Sequence, residues 1–237
     1  MRFPSILTAA FLSFASLASS QDFYERPPGS EPVTHLVPPY IDQYTEGYWG
    51  FKGILNTQLL RRYGCGQFGT MLAMPAFTGE YCVSIYEIGE GDETIVYTAT
   101  AAKSSQNLSA WIQQKNQGEK VDEIEVRHNS RNVSREFAVA YQRVWARAVL
   151  GARYPSKAPY PTSDGITFRF STILSRSQEI FGEASNPEKG FCADLVDVGL
   201  RIFHFVMQDD PKNKDTEVDL IRALKTLEKQ LDASPQS

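Results

Sequence analysis

The residues whose types and order best suit covalent chemistry are Cys65 and His128. A thiolate at Cys65 would attack a carbonyl carbon, and an imidazole further along the chain would take up the thiol proton. The local sequence works against this. Cys65 follows a predicted helix instead of opening one, so no helix dipole lowers its pKa. The flanking Gly64 and Gly66 also give no Asp-Cys-Ser-Gly context. A structural disulfide between Cys65 and Cys82 is the preferred reading. Both flank the same predicted hairpin, and closing a loop of that size would restrict the unfolded chain by roughly 3 kcal/mol. The third cysteine, Cys192, stands at the mouth of an apolar segment and reads as a small buried hydrophobe.

Arginine supplies the second chemistry. Arg131, Arg135, Arg143 and Arg147 are separated by multiples of four residues, so from Arg135 onward they share one stripe of a predicted helix. Guanidinium forks pair with carboxylates through two parallel hydrogen bonds, which suits an acidic protein partner or the carboxylates of a cell-wall peptide. The competing reading is a solvated face paired with Glu136 and its neighbours. Tyr48 and Trp49 lie in an aromatic cluster with Tyr40, Tyr44 and Phe51, punctuated by Gly47, Gly50 and Gly53. Such residues anchor partners or cover a sheet edge.

Other motifs carry less. Gly64-Cys-Gly-Gln-Phe-Gly69 spells G-x-G-x-x-G, but a nucleotide site needs that run between a strand and a helix N-terminus, and here a helix precedes and a strand follows. It reads as a turn, and no cofactor is expected. His35, His128 and His204 are the three histidines, with no i, i+4 pair and no Cys-x-x-Cys, so no metal site is expected. G-x-S-x-G and Ser-x-x-Lys are absent. Asn107-Leu-Ser109 and Asn132-Val-Ser134 match the acceptor pattern for N-glycosylation, and two such triplets do not distinguish one kind of source from another.

The elements that must position these residues follow from periodicity. Ile54, Leu55, Leu59 and Leu60 recur at helical spacing before Gly64. The runs from Thr70 to Ile88 and from Thr94 to Thr100, joined by Gly89-Glu-Gly-Asp-Glu93, predict an antiparallel hairpin. Further strands are expected at 123–128 and 166–171, where apolar and polar residues alternate to give one apolar and one wet face. Helices are expected from Ser134, with Phe137, Tyr141, Val144, Trp145 and Ala148 on one side, and through Leu195, Val198, Ile202 and Phe205. A third begins at the box Thr216-Glu-Val-Asp219. The expected fold is one α+β domain over 46–237, an antiparallel sheet of about four strands packed against three or four helices. Five prolines make 21–45 an extended arm.

Length and charge bound the function. The chain has 237 residues, 42% hydrophobic and 22% charged, with a net charge of −4, a composition that folds and does not attract nucleic acid. Residues 1–20 run from Arg2 through an apolar stretch to Ala18, Ser19 and Ser20, the order of a secretory signal peptide, and their removal makes the chain more acidic still. The run is short for a bilayer span, so no membrane insertion is expected after cleavage. These readings point to an exported, non-catalytic protein-binding domain of inhibitor or immunity type, periplasmic or secreted. The alternative is a cell-wall (peptidoglycan) amidase or peptidase with a Cys65–His128 dyad, the thiol-before-histidine order of papain-like enzymes.

Overall fold

Two periodicities organise the chain, two residues in its strands and 3.6 in its helices. The computed structural model describes residues 36, 68–89, 95–153, 165–175, 178–208 and 215–233. Within the expected arm only Leu36 is described, and it is buried in the core instead of extended into solvent; the helix expected at 54–60, Tyr48, Trp49 and Cys65 lie outside the described residues. In chain order the elements are β1 (Gly69–Pro75), β2 (Tyr81–Ile88), β3 (Val96–Ser104), α1 (Leu108–Asn116), β4 (Val126–Val133), α2 (Arg135–Leu150), β5 (Ile166–Ser175), β6 (Gln178–Ser185), α3 (Phe191–Met207) and α4 (Glu217–Ala233).

All six strands join one sheet in the order β4-β3-β2-β1-β5-β6, and every neighbouring pair is antiparallel. The α+β class and the antiparallel sheet match the expectation, whereas the strand number is six instead of about four. The stretch read as one strand from Thr70 to Ile88 is two, because Pro75 ends β1 and the chain turns at Gly79. A Cβ on Gly79 would run into the Ser104 carbonyl, so glycine is required there. β6 escaped because Gln178, Glu179 and Glu183 dilute its apolar residues; its register against β5 holds it in place. The strand expected at 123–128 is shifted to β4, a polar edge strand of the kind that resists pairing with other chains.

One sheet face is apolar. Met71, Ala73, Val83, Ile85, Ala99, Ala101, Phe168 and Phe170 share it, and α2 and α3 pack against it. The α2 face of Phe137, Tyr141, Val144, Trp145 and Ala148 meets this surface, while α4 lies across α2 and α3 and seals them with Leu220, Leu224 and Leu227. The helix starts are where the caps place them. The Ser134 hydroxyl accepts from the Phe137 amide at 3.2 Å, and Thr216 and Asp219 accept each other's backbone N–H at 3.3 and 3.2 Å. α3 starts at Phe191, from Gly190 with no side-chain cap.

The opposite sheet face departs from expectation: it is polar without being wet. Thr70, Ser84, Thr98, Thr100 and Ser171 are all buried. Short hydroxyls make this tolerable because they bond to one another across strands. Thr100 Oγ1 lies 3.0 Å from the Tyr86 hydroxyl and 3.2 Å from Ser130 Oγ. A small apolar cluster of Leu72, Cys82, Ala102 and Leu108 also lies on this face, with Leu108 supplied by the unpredicted helix α1. Asn107 caps that helix, and the buried Glu80 accepts from the Leu108 amide at 2.8 Å.

Beyond the core, Arg201 on α3 grips Asp215 ahead of α4, Nε to Oδ2 at 2.8 Å and Nη2 to Oδ1 at 2.7 Å. These hydrogen bonds hold the Asp215 carboxyl below its ordinary value. A folded-state pKa below the unfolded one means that the pair stabilises the fold above the ordinary carboxylate pKa and ceases to as pH falls through the depressed value. Asp215→Asn is therefore expected to lower the urea midpoint at pH 7 and to converge on the wild-type midpoint as the pH is taken toward about 2. An equal deficit at every pH would show that the carboxylate charge is not what matters.

Candidate partner-binding surface

The four arginines have different surroundings. Arg131, ahead of the helix, belongs to β4. Its guanidinium sits 4.1 Å from the Phe205 ring centroid and donates to the Phe205 carbonyl at 3.3 Å, tying the edge strand to α3. Arg147 reaches across to α4 and pairs with Asp232 at 2.8 Å. Glu136, expected to neutralise the stripe, is instead paired with Lys225 at 2.7 Å. Arg135 and Arg143 remain exposed on α2, and neither has an ion pair among the described residues. Eight residues separate them, about 12 Å along the helix axis.

Arg135 also lines an open groove of about 540 Å³ with Ile95, Val96, Tyr97 and Val133. The groove forms where β3 begins, where β4 ends and where α2 starts, three points that cross-strand pairing of Tyr97 with Val133 brings together. Ile95 is 49% exposed and Ile88, which pairs with Val96, is 53% exposed. Apolar side chains of this size beside an uncompensated guanidinium form a mixed surface suited to a partner with both an apolar group and a carboxylate. No sequence signal marked Ile88, Ile95 or Val96 for this role, because a strand end looks the same whether it is covered or bare.

The rival dyad is not assembled by described residues. His128 lies on β4 opposite Ala102, half-buried on the hydroxyl-rich face, and Cys65 lies outside the described residues, as does its expected bond to Cys82. The two described cysteines are poor nucleophiles. Burial pushes the thiols of Cys82 and Cys192 up to about 12. The last glycine of the G-x-G-x-x-G run has a packing role. Gly69 opens β1 at φ +134°, and a Cβ there would approach the Ser171 carbonyl and the Trp145 indole to 2.9 Å each. Among the described residues, no cluster of three or more His, Cys, Asp or Glu is placed to hold a metal ion, and no helix is long and apolar enough to cross a membrane.

Charged residues that sequence reasoning missed are buried on the second sheet face. Arg169 and Glu183 pair there at 2.6 Å, and Glu80 stands at the start of α1. Nothing in a single sequence separates them from solvated charges. No family model, no curated protein and no solved structure matches the chain.

Proposed function

We propose that this chain is an exported, non-catalytic protein-binding domain of inhibitor or immunity type that acts in the periplasm or extracellular space. It seats an acidic, partly apolar segment of a partner protein at the start of α2. The observation that carries this reading is Arg135, a guanidinium without a counter-charge among the described residues, in the wall of an open groove that it shares with Ile95, Val96, Tyr97 and Val133. In a chain with four more acidic than basic residues, an uncompensated arginine is a local positive field. Such a field steers an acidic partner toward the groove, and the fork then closes on a carboxylate. Arg143 extends the attraction along the helix. Ile95, Val96 and Val133 beside Arg135 would exclude water once the partner is seated, which strengthens the charged contact.

The test is capture from the exported proteins of the source organism on immobilised residues 21–237, beside the double variant Arg135→Glu, Arg143→Glu. A retained protein is then purified and its affinity for both forms measured at two salt concentrations. An acidic partner is expected that binds the variant at least about 100-fold more weakly, since each tenfold loss is about 1.4 kcal/mol and two attractions become repulsions. Equal binding by both forms would overturn the reading. So would peptidoglycan turnover by the purified chain that disappears in Cys65→Ala.

A further inference from the structure

The two glycosylation triplets, equivalent as sequence, are not equivalent in the fold. We infer that Asn132 carries an N-linked oligosaccharide in the mature protein and that Asn107 does not. The inference rests on the export part of the proposed function, since the donor is a polyprenyl-pyrophosphate oligosaccharide available only along a glycosylating secretory route. In the transfer, the side-chain amide nitrogen forms a bond to the anomeric carbon as the bond from that carbon to the pyrophosphate oxygen breaks. The lipid pyrophosphate leaves, and one amide proton passes to the transferring enzyme. Transfer takes place on the entering chain, so the fold decides which product can be accommodated, not which nitrogen is reached.

At Asn107 the amide is built into the structure. Its Oδ1 caps α1 by accepting from the Ala110 amide at 2.8 Å. Its Nδ2 donates to the Pro75 carbonyl at 2.9 Å and lies 3.3 and 3.5 Å from the carbonyls of Thr78 and Ala76. A sugar on Nδ2 would occupy the space of the 75–78 turn and push apart the end of β1 and the start of α1. That costs both the cap and the packing of Leu108, which is fully buried.

At Asn132 the side chain is exposed, on β4 at the edge of the sheet that the described residues form. Its one side-chain hydrogen bond among the described residues is accepted by Oδ1 from Thr98 Oγ1 at 3.4 Å, leaving Nδ2 without a partner there. Neighbouring strand residues point to opposite faces, so Asn132 points away from Val133 and does not line the groove. Ser134, the hydroxyl residue of the triplet, later caps α2 through Oγ, and a glycan two residues earlier leaves that contact intact.

The experiment is secretion of the full chain from a glycosylating eukaryotic host, once with its own residues 1–20 and once with those residues replaced by a proven signal peptide. Secreted protein is then released from its glycans by an amidase in heavy-oxygen water, which marks each formerly glycosylated Asn as labelled Asp in peptide mass spectra. The expected result is label at Asn132 only, loss of the whole gel-mobility shift in Asn132→Gln, and no change of shift in Asn107→Gln. Label at Asn107 in secreted protein, or secreted protein without label at Asn132, would overturn the inference. Failure of secretion with the native N-terminus alone would count against the export reading and leave the second arm to decide the glycan.

Discussion

Replacing Trp145 with alanine is expected to lower the stability of the fold by about 3–5 kcal/mol, a large part of what an ordinary domain possesses. The indole has no solvent exposure, stacks on Tyr141 with ring centroids 4.0 Å apart, and meets Phe170 edge-on at 5.7 Å. Its Nε1 donates to the Thr70 carbonyl at 3.3 Å, which attaches α2 to β1. It also packs against the backbone of Gly69, where no side chain leaves room for it. Truncation therefore removes ring contacts on three sides and leaves a cavity that the rigid sheet beneath cannot close. Urea denaturation followed by far-ultraviolet circular dichroism measures the loss. Trp145→Phe should retain part of the stability because a ring still meets Tyr141 and Phe170. A loss below about 1 kcal/mol in the alanine variant would mean that this layer repacks freely.

The second large effect is expected at the buried ion pair. Arg169 and Glu183 stand opposite each other in register on β5 and β6, with side-chain exposures of 9% and 13%. The guanidinium donates to Glu183 Oε1 from Nε at 2.7 Å and from Nη2 at 2.6 Å, and its carbon lies 5.8 Å from the Phe181 ring centroid. Arg169→Met alone would leave the Glu183 carboxylate buried without its cation, a loss of about 3–5 kcal/mol. Glu183→Leu alone would take from the Arg169 guanidinium the carboxylate it donates to twice and is also expected to destabilise the fold. Both changes together should recover most of either loss, because the desolvation that the pair must overcome disappears with both charges. The four proteins form a double-mutant cycle read from denaturation midpoints. Additive losses would show that the two side chains act independently and that their proximity is incidental.

Much of the helical framework was legible because its signals are local. Phe137, Tyr141, Val144 and Trp145 share a face through nothing more than the helical repeat, and Ser134 and Thr216 mark starts by capping amides within three residues. The hairpin of β2 and β3 was legible for the same reason, since its turn lies between the strands it joins. Illegible elements depend on distant partners. β6 is a strand because β5 offers it a ladder, and α1 is placed by Glu80 and by the Asn107 contacts to the 75–78 turn. The helical spacing of Arg135, Arg143 and Arg147 was legible, but the pairing of Arg147 with Asp232 was not, because Asp232 is far away in the chain.

The amino-acid order alone determined an α+β chain with an antiparallel sheet and the buried faces of three helices, since side-chain direction within an element follows from backbone geometry over a few residues. Tertiary structure alone decided that the described residues form six strands, that the hydroxyl face is buried, which arginines have no ion pair among the described residues, and that the Asn107 side chain is bonded into a turn while Asn132 is exposed. Burial and ion pairing are properties of what lies across a gap, and the residue across the gap is set by the path of the whole chain.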